Sequence, residues 1–250
     1  MLMVVFAAVF AVSAFMFAKT WLQGQKEQDV FEDLTVNMPQ MVEGDVTAED
    51  TETLLAYYNR LHEQNSDFVG WIKIPDTKLD YPVMHTPKNP EYYLRRTFDG
   101  SYAISGTPFM DAACNVDSRL VMIYGHHMNN GTMFATLHNY KNKSYWEQHP
   151  QLRFDTLTEI RTYDIIAAFY TEIRYDAERE GLFEYYKYIG DVTDERFEEY
   201  VKGVASSAMY DTDIAVTMDD KLITLSTCSY HSDEGRFVLV AKLKDVVAAE

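Results

Sequence analysis

A mainly β domain, folded as a mixed and largely antiparallel barrel or sandwich, is what this 250-residue sequence predicts. Short apolar, β-branched runs recur from Asp67 onward, bounded by turn-forming residues. Most of these runs are not separated by a full helix, which argues against a doubly wound parallel sheet. The longer helical patterns fall before the first run and before the last two.

Residues Leu2 to Ala18 carry no charge, and only Ser13 among them is polar. Continued through Lys19, Thr20, Trp21 and Leu22, the segment approaches the roughly 20 residues needed to span a bilayer. Trp21 suits an interfacial anchor. We read residues 1–22 as an N-terminal membrane anchor, with a cleaved signal peptide or a buried helix as the alternatives. No Lys or Arg precedes the segment, so charge does not set its orientation. Residues 23–50 are acidic and polar and read as a stalk or linker holding a first short helix. The folded body is expected over 51–250.

Thr51 to Gln64 places Leu54, Leu55, Tyr58 and Leu61 at helical spacing. Strands are expected at Gly70–Pro75 and Leu79–Met84, the second marked by Pro82 as an edge or a bulge. Asn89 to Asp99 reads as a loop or short helix. Further strands are expected at Gly106–Asp111, Arg119–Tyr124, Gln151–Leu157 and Glu159–Thr171, with a helix at Met133–Tyr140. The aromatic, acidic stretch Asp176–Asp191 reads as a helical insertion. A second helix follows at Thr193–Ala208, with Thr193 as cap and Asp194 and Glu195 in the first turn. Two apolar runs close the chain, Lys221–Cys228 and Phe237–Leu243.

Apolar residues make up 47% of the chain and aromatics 14%, enough for a packed core. The formal charge of −17 excludes nucleic acid and anionic membrane surfaces as natural partners of the body. There are two cysteines, Cys114 and Cys228, and no CxxC. One disulfide between them is open to an exported protein and would disable either thiol.

Cys228 stands where one strand ends, and Arg236 where the next begins. A thiol there is held rigidly yet reaches a cleft beside the sheet. A guanidinium on the neighbouring strand offers a fork of donors to a carbonyl oxygen or an oxyanion. A lone Cys is more often a small buried hydrophobe than a nucleophile, so a base is needed to make it one. Tyr124-Gly125-His126-His127 supplies candidates. Histidine titrates near neutrality, and two adjacent ones on an extended segment point to different sides. No carboxylate or third His lies at ligand spacing, so no metal is expected.

Thr224-Leu225-Ser226-Thr227-Cys228, with Arg236 eight positions on (236 − 228), resembles the TLxTC…R pattern of sortases. Tyr124-Gly125-His126 resembles their histidine segment. Asn65–Ile74, Asp80–Val83, Asn89 with Tyr93-Leu94, and Gly106–Asp111 resemble class B in particular. The resemblance covers roughly Leu54 to Leu243 and extends to the N-terminal anchor. It implies a closed eight-stranded β-barrel with N-terminal helices and a helical insertion before the cysteine strand. It implies a membrane-anchored extracellular cysteine transpeptidase with no cofactor. Cys228 would be the nucleophile, His126 the acid/base and Arg236 the stabiliser of substrate and oxyanion. Ser226, Asn89, Leu94, Tyr188 and Ile189 would line the groove for the sorting signal. The implied partners are surface proteins bearing an NPQTN-like signal and an amine of peptidoglycan. A hydrolase of the same fold, an anchored binding module with a degenerate site, and a redox protein using both cysteines are the competing readings.

Overall fold

The computed structural model describes residues 2–39, 47–173, 182–229 and 234–249. A first helix, α1, runs without interruption from Leu2 to Val36. The short helix expected within 23–50 is therefore the distal part of one long helix. Gly24 lies in open space and does not break it. Phe31 on α1 is buried and meets the Tyr81 ring edge-on at 5.5 Å. Among the described residues, no helix is long and apolar enough to cross a membrane.

The second helix, α2, spans Ala48–Gln64. The Thr47 hydroxyl accepts from the Asp50 amide, and the Asp50 carboxylate accepts from the Thr47 amide, a reciprocal cap for the first turn. Its apolar stripe is the one read from the sequence: Leu54, Leu55, Tyr58 and Leu61 are buried.

Eight strands follow: β1 (Phe68–Lys73), β2 (Asp80–Met84), β3 (Phe109–Met110), β4 (Leu120–Tyr124), β5 (Gln151–Thr156), β6 (Glu159–Glu172), β7 (Leu222–Cys228) and β8 (Gly235–Ala248). They close into a barrel in the order β1-β2-β3-β4-β7-β8-β6-β5. Pairing is antiparallel except at β2–β3 and β4–β7. A parallel pair needs a long connection rather than a tight turn. Between β2 and β3 it carries a 3-10 turn, Tyr92–Arg95. Between β4 and β7 it carries the helix α3 (Lys143–Gln148), the β5–β6 pair and the helix α4 (Asp194–Ser207). Pro82 is accommodated because β2 pairs with β3 only at Met84, beyond it. The long β6–β8 ladder bends through register shifts at Thr162/Tyr163 and Ile165/Ala167.

The fold class is the one expected, and α4 starts at its Thr193 cap. Two helices read from the sequence take other forms. Met133–Tyr140 is a 3-10 run, Phe134–Lys141. Of the stretch 176–191, residues up to 181 lie outside the described part, and the rest holds only a 3-10 turn, Tyr185–Lys187. Aromatic packing explains the second case: the Phe183 and Tyr188 rings each stack near Tyr200 of α4, at 5.6 and 5.7 Å. Side chains committed to α4 and β6 cannot also form one regular helical face.

The main core includes Ile72, Val83, Met122, Phe154, Phe169, Leu225 and Leu239. A second core lies where α2 covers Phe68, Trp71 and Tyr93. The two are joined at a buried carboxylate. Tyr58 of α2 donates to Asp155 of β5 at 3.0 Å, and Arg153 pairs with the same carboxyl group. A buried carboxylate that loses a donor carries the desolvation cost alone. Replacing Tyr58 with Phe should therefore lower stability by about 1–3 kcal/mol in urea unfolding. An unchanged midpoint would contradict this docking.

Candidate active site

Three register relations converge at one end of the barrel. In the antiparallel β7–β8 ladder, Cys228 sits opposite Arg236. In the parallel β4–β7 ladder, Tyr124 sits beside Ser226. The next amide, Gly125, donates to the Ser226 carbonyl at 3.1 Å, which carries the alignment one residue past the strand. His126 thus leaves β4 alongside the last residues of β7. Cys228, His126 and Arg236 all line a single cleft of about 450 Å³.

Glycine at 125 is needed on steric grounds. A Cβ there would lie 2.6 Å from the Phe134 ring, which is fully buried. Phe134 in turn donates its amide to the His126 carbonyl at 2.9 Å. The backbone on both sides of His126 is therefore fixed.

The His126 ring donates Nε2–H to the Leu94 carbonyl at 2.9 Å. A carbonyl can only accept, so this bond selects the tautomer that leaves the Nδ1 lone pair for proton exchange. Burial holds the ring below the ordinary histidine range, and the positive charge of Arg95 adds to this. The Leu94 bond acts in the opposite direction. The imidazole is thus mostly neutral near pH 7. Since the folded state disfavours its protonation, the contribution of His126 to stability declines as pH falls below about 6.5 toward its lowered value.

Cys228 is half-buried and free, and Cys114 is also free. No disulfide joins them in this structure. The two thiols differ in setting. Cys114 is buried, donates to the Leu120 carbonyl and accepts from the Met122 amide, both at 3.4 Å. Burial pushes its thiol up to about 11, so it stays protonated and inert. Arg236 is held at the cleft by Nη1 donating to the Gly235 carbonyl at 2.9 Å, with Glu234 at 3.6 Å.

The remaining candidates divide. Leu94 lines the cleft, and its carbonyl holds His126. Ser226 lines it too, with its hydroxyl bonded to the Tyr185 hydroxyl at 2.7 Å. Asn89 is exposed in the loop before the 3-10 turn, and Pro90 and Glu91 rather than Asn89 line the cleft. Tyr188 and Ile189 are not among the described residues of that lining. Tyr188 packs on Tyr200 and under the Arg196 guanidinium. Tyr185, three residues earlier, is the member of this segment that reaches the β7 strand, because it is buried directly behind Ser226. Its phenol is pushed up to about 12 by burial. Sequence reading also missed Asp111, which lines the cleft and accepts from the Tyr124 hydroxyl at 3.0 Å. Its place in the Gly106–Asp111 motif was the available signal.

His127 turns away from this cleft. Its ring stacks 4.1 Å from that of His138, and both face a different cavity. The two adjacent imidazoles are separated as alternation along an extended segment requires.

A half-buried thiol, a neutral imidazole of fixed tautomer and a guanidinium around one cleft define a cysteine-dependent acyl-transfer enzyme built on a closed β-barrel. The sortase domain family matches residues 72–244. Sortase B of Listeria monocytogenes is 33% identical over 189 residues, which cover 73% of this chain and 72% of the relative. Sortase B of Staphylococcus aureus is 25% identical over 96% of this chain and 94% of its own. The solved Staphylococcus aureus sortase B–substrate complex superposes with a TM-score of 0.70 and 25% identity, over 92% of this chain and all of that one. The chain belongs to the sortase family. Its relatives and structural neighbours are of class B, and its activity is that of a cysteine transpeptidase.

Native alkylation with iodoacetamide should label Cys228 and spare Cys114, as read by peptide mass spectrometry. Labelling of Cys114 first would contradict the burial described. In NMR titration, the His126 ring should show a midpoint below 6.5, moving slightly upward in Arg95→Gln. A midpoint above 6.5 in the wild type would contradict the cause assigned.

Proposed function

We propose that this enzyme cleaves an NPQTN-like sorting signal after its Thr and joins the released carboxyl end to an amine of peptidoglycan at the outer face of the membrane. The observation that carries this reading is the meeting of Cys228, His126 and Arg236 in one cleft. The substrate-bound Staphylococcus aureus relative and the sequence motifs support it.

In the proposed mechanism the Cys228 thiolate adds to the scissile carbonyl, and the oxygen becomes an oxyanion held by Arg236 and backbone amides. His126 in its protonated form gives the Nδ1 proton to the departing amine while Nε2–H stays on Leu94. The C–N bond breaks and a thioester remains on Cys228. An acceptor amine then attacks the thioester, His126 takes its proton, and the thiolate leaves. Active molecules need a thiolate and an imidazolium together. Burial, which lowers the imidazole, works against that pair. Leu94 and Ser226 are proposed to contact the signal from the cleft wall, with Asn89, Tyr188 and Ile189 as more distant contributors.

Residues 1–22 are proposed to hold the enzyme at the membrane, with the acidic stretch 23–50 as its connection and 51–250 as the catalytic domain. The described apolar side chains on the first part of α1 are turned outward, Phe10 at 75% and Phe17 at 73% exposure. Such a surface is costly in water and suited to lipid.

A quenched fluorescent NPQTN peptide with a triglycine acceptor tests the reaction. The joined peptide should form; a product that is only cleaved would mean hydrolysis. Cys228→Ala should abolish turnover. Arg236→Lys should lower kcat on the order of 10²-fold, because an ammonium lacks the planar fork. Full activity in Arg236→Lys would remove Arg236 from the oxyanion role.

A further inference from the structure

Glu27 lies on α1, outside every motif that carries the chemistry, yet its carboxylate is buried at 6% exposure. One oxygen accepts from the Ile104 amide at 2.8 Å. The other accepts from the Ser105 amide at 3.1 Å and the Ser105 hydroxyl at 2.8 Å. Three donors on one buried carboxylate form a charge-assisted clamp. What it clamps is a strap of irregular backbone, residues 103–107, which lies across the 3-10 turn that presents Leu94.

The bonds between strap and turn account for its carbonyls in order. The Tyr93 carbonyl accepts from the Thr107 amide at 3.0 Å, and that of Arg95 from the Ala103 amide at 3.0 Å. The Arg96 carbonyl accepts from the Thr107 hydroxyl at 2.8 Å. Arg95 returns a bond from its Nη1 to the Ile104 carbonyl at 2.6 Å. The Leu94 carbonyl, between these, is aimed at the His126 ring. Gly106 has φ +60, and a Cβ there would lie 2.5 Å from the Leu94 oxygen and 2.8 Å from that of Tyr93. The strap is thus pressed directly onto the carbonyl that selects the tautomer of His126. Ile104 and Ser105 have their amides turned the other way, toward α1. In an irregular segment that leaves two donors for which Glu27 is the acceptor.

We propose that Glu27 is a positioning residue: by holding the Ile104 and Ser105 amides it fixes the strap, the strap fixes the Leu94 carbonyl, and that carbonyl fixes the His126 tautomer. The inference rests on the reading of His126 as the acid/base. It makes α1 part of the active-site scaffold. The apolar N-terminal run and the clamp share one continuous helix, and it is through the Glu27 carboxylate that this helix bears on the imidazole.

The test uses the full chain, labelled with 15N-histidine, at a pH well above 6.5, where the ring is neutral. In the wild type the two ring nitrogens of His126 should have well-separated shifts, Nε2 as N–H and Nδ1 as the lone-pair nitrogen. In Glu27→Ala they should move toward each other as the tautomers mix. In the same variant kcat on the NPQTN peptide should fall on the order of tenfold with KM nearly unchanged, since small misplacements far from the chemistry cost rates of this size. Glu27→Gln keeps the shape but only one accepting oxygen, and should fall between. Tyr57→Phe is the control. It removes the bond from Tyr57 to the Leu34 carbonyl, so it loosens α1 without touching the strap, and should keep the wild-type shifts. Wild-type shifts in both Glu27 variants would overturn the proposal, as would equal mixing in Tyr57→Phe. The ring shifts need no substrate, so a wild type that ignores the peptide would count against the sorting signal alone.

Discussion

The register of β7 between its two neighbours is the constraint on which the site depends. On one side, antiparallel pairing sets Cys228 against Arg236. On the other, parallel pairing sets Tyr124 against Ser226, so the segment leaving β4 runs beside the end of β7. Side chains alternate along a strand, and a slip of one residue would turn Cys228 and Ser226, which share a face, away from the cleft together. That register is held by buried residues on both ladders, among them Ile223, Leu225, Val238 and Val240. Two hydroxyl pairs reinforce it, Tyr200 with Thr224 and Tyr185 with Ser226, each tying β7 to the segment that covers it.

Around this rigid centre the structure assigns different tasks to chemically similar groups. Two cysteines differ because one is buried among apolar neighbours and the other ends a strand at a cleft. Adjacent histidines differ because one bonds to a carbonyl in the cleft while the other stacks on His138. Environment rather than residue type separates the group at the cleft from the one packed elsewhere.

Much of this could be read from the sequence. Strands β7 and β8 are apolar runs flanking a polar loop, and their lengths place Cys228 and Arg236 at strand ends. The Tyr124-Gly125-His126 segment stood out in the sequence, and the structure adds why its glycine is needed: the buried Phe134 ring leaves no room for a side chain there. The cap at Thr193 and the apolar face of α4 were legible from local pattern. What was not legible depended on contacts distant in sequence. Tyr188 and Ile189 were expected in the groove only from the resemblance, but Tyr185 reaches Ser226, because the segment packs as aromatic side chains on α4 rather than as a helix. The part of Leu94 most involved in the site is its carbonyl, which has no residue identity to read. Glu27 lies in an acidic stretch without motif, and only the fold brings it to residues 104 and 105.

The central claim is that the thiol of Cys228 carries the acyl group. Incubating the enzyme with an NPQTN peptide in the absence of an acceptor amine, quenching in acid, and measuring intact mass and peptide maps tests it most directly. The account predicts an adduct equal to the peptide up to and including its Thr, located on Cys228 and discharged by added triglycine. Cleavage of the peptide with no adduct at Cys228, or with an adduct on another residue, would contradict it.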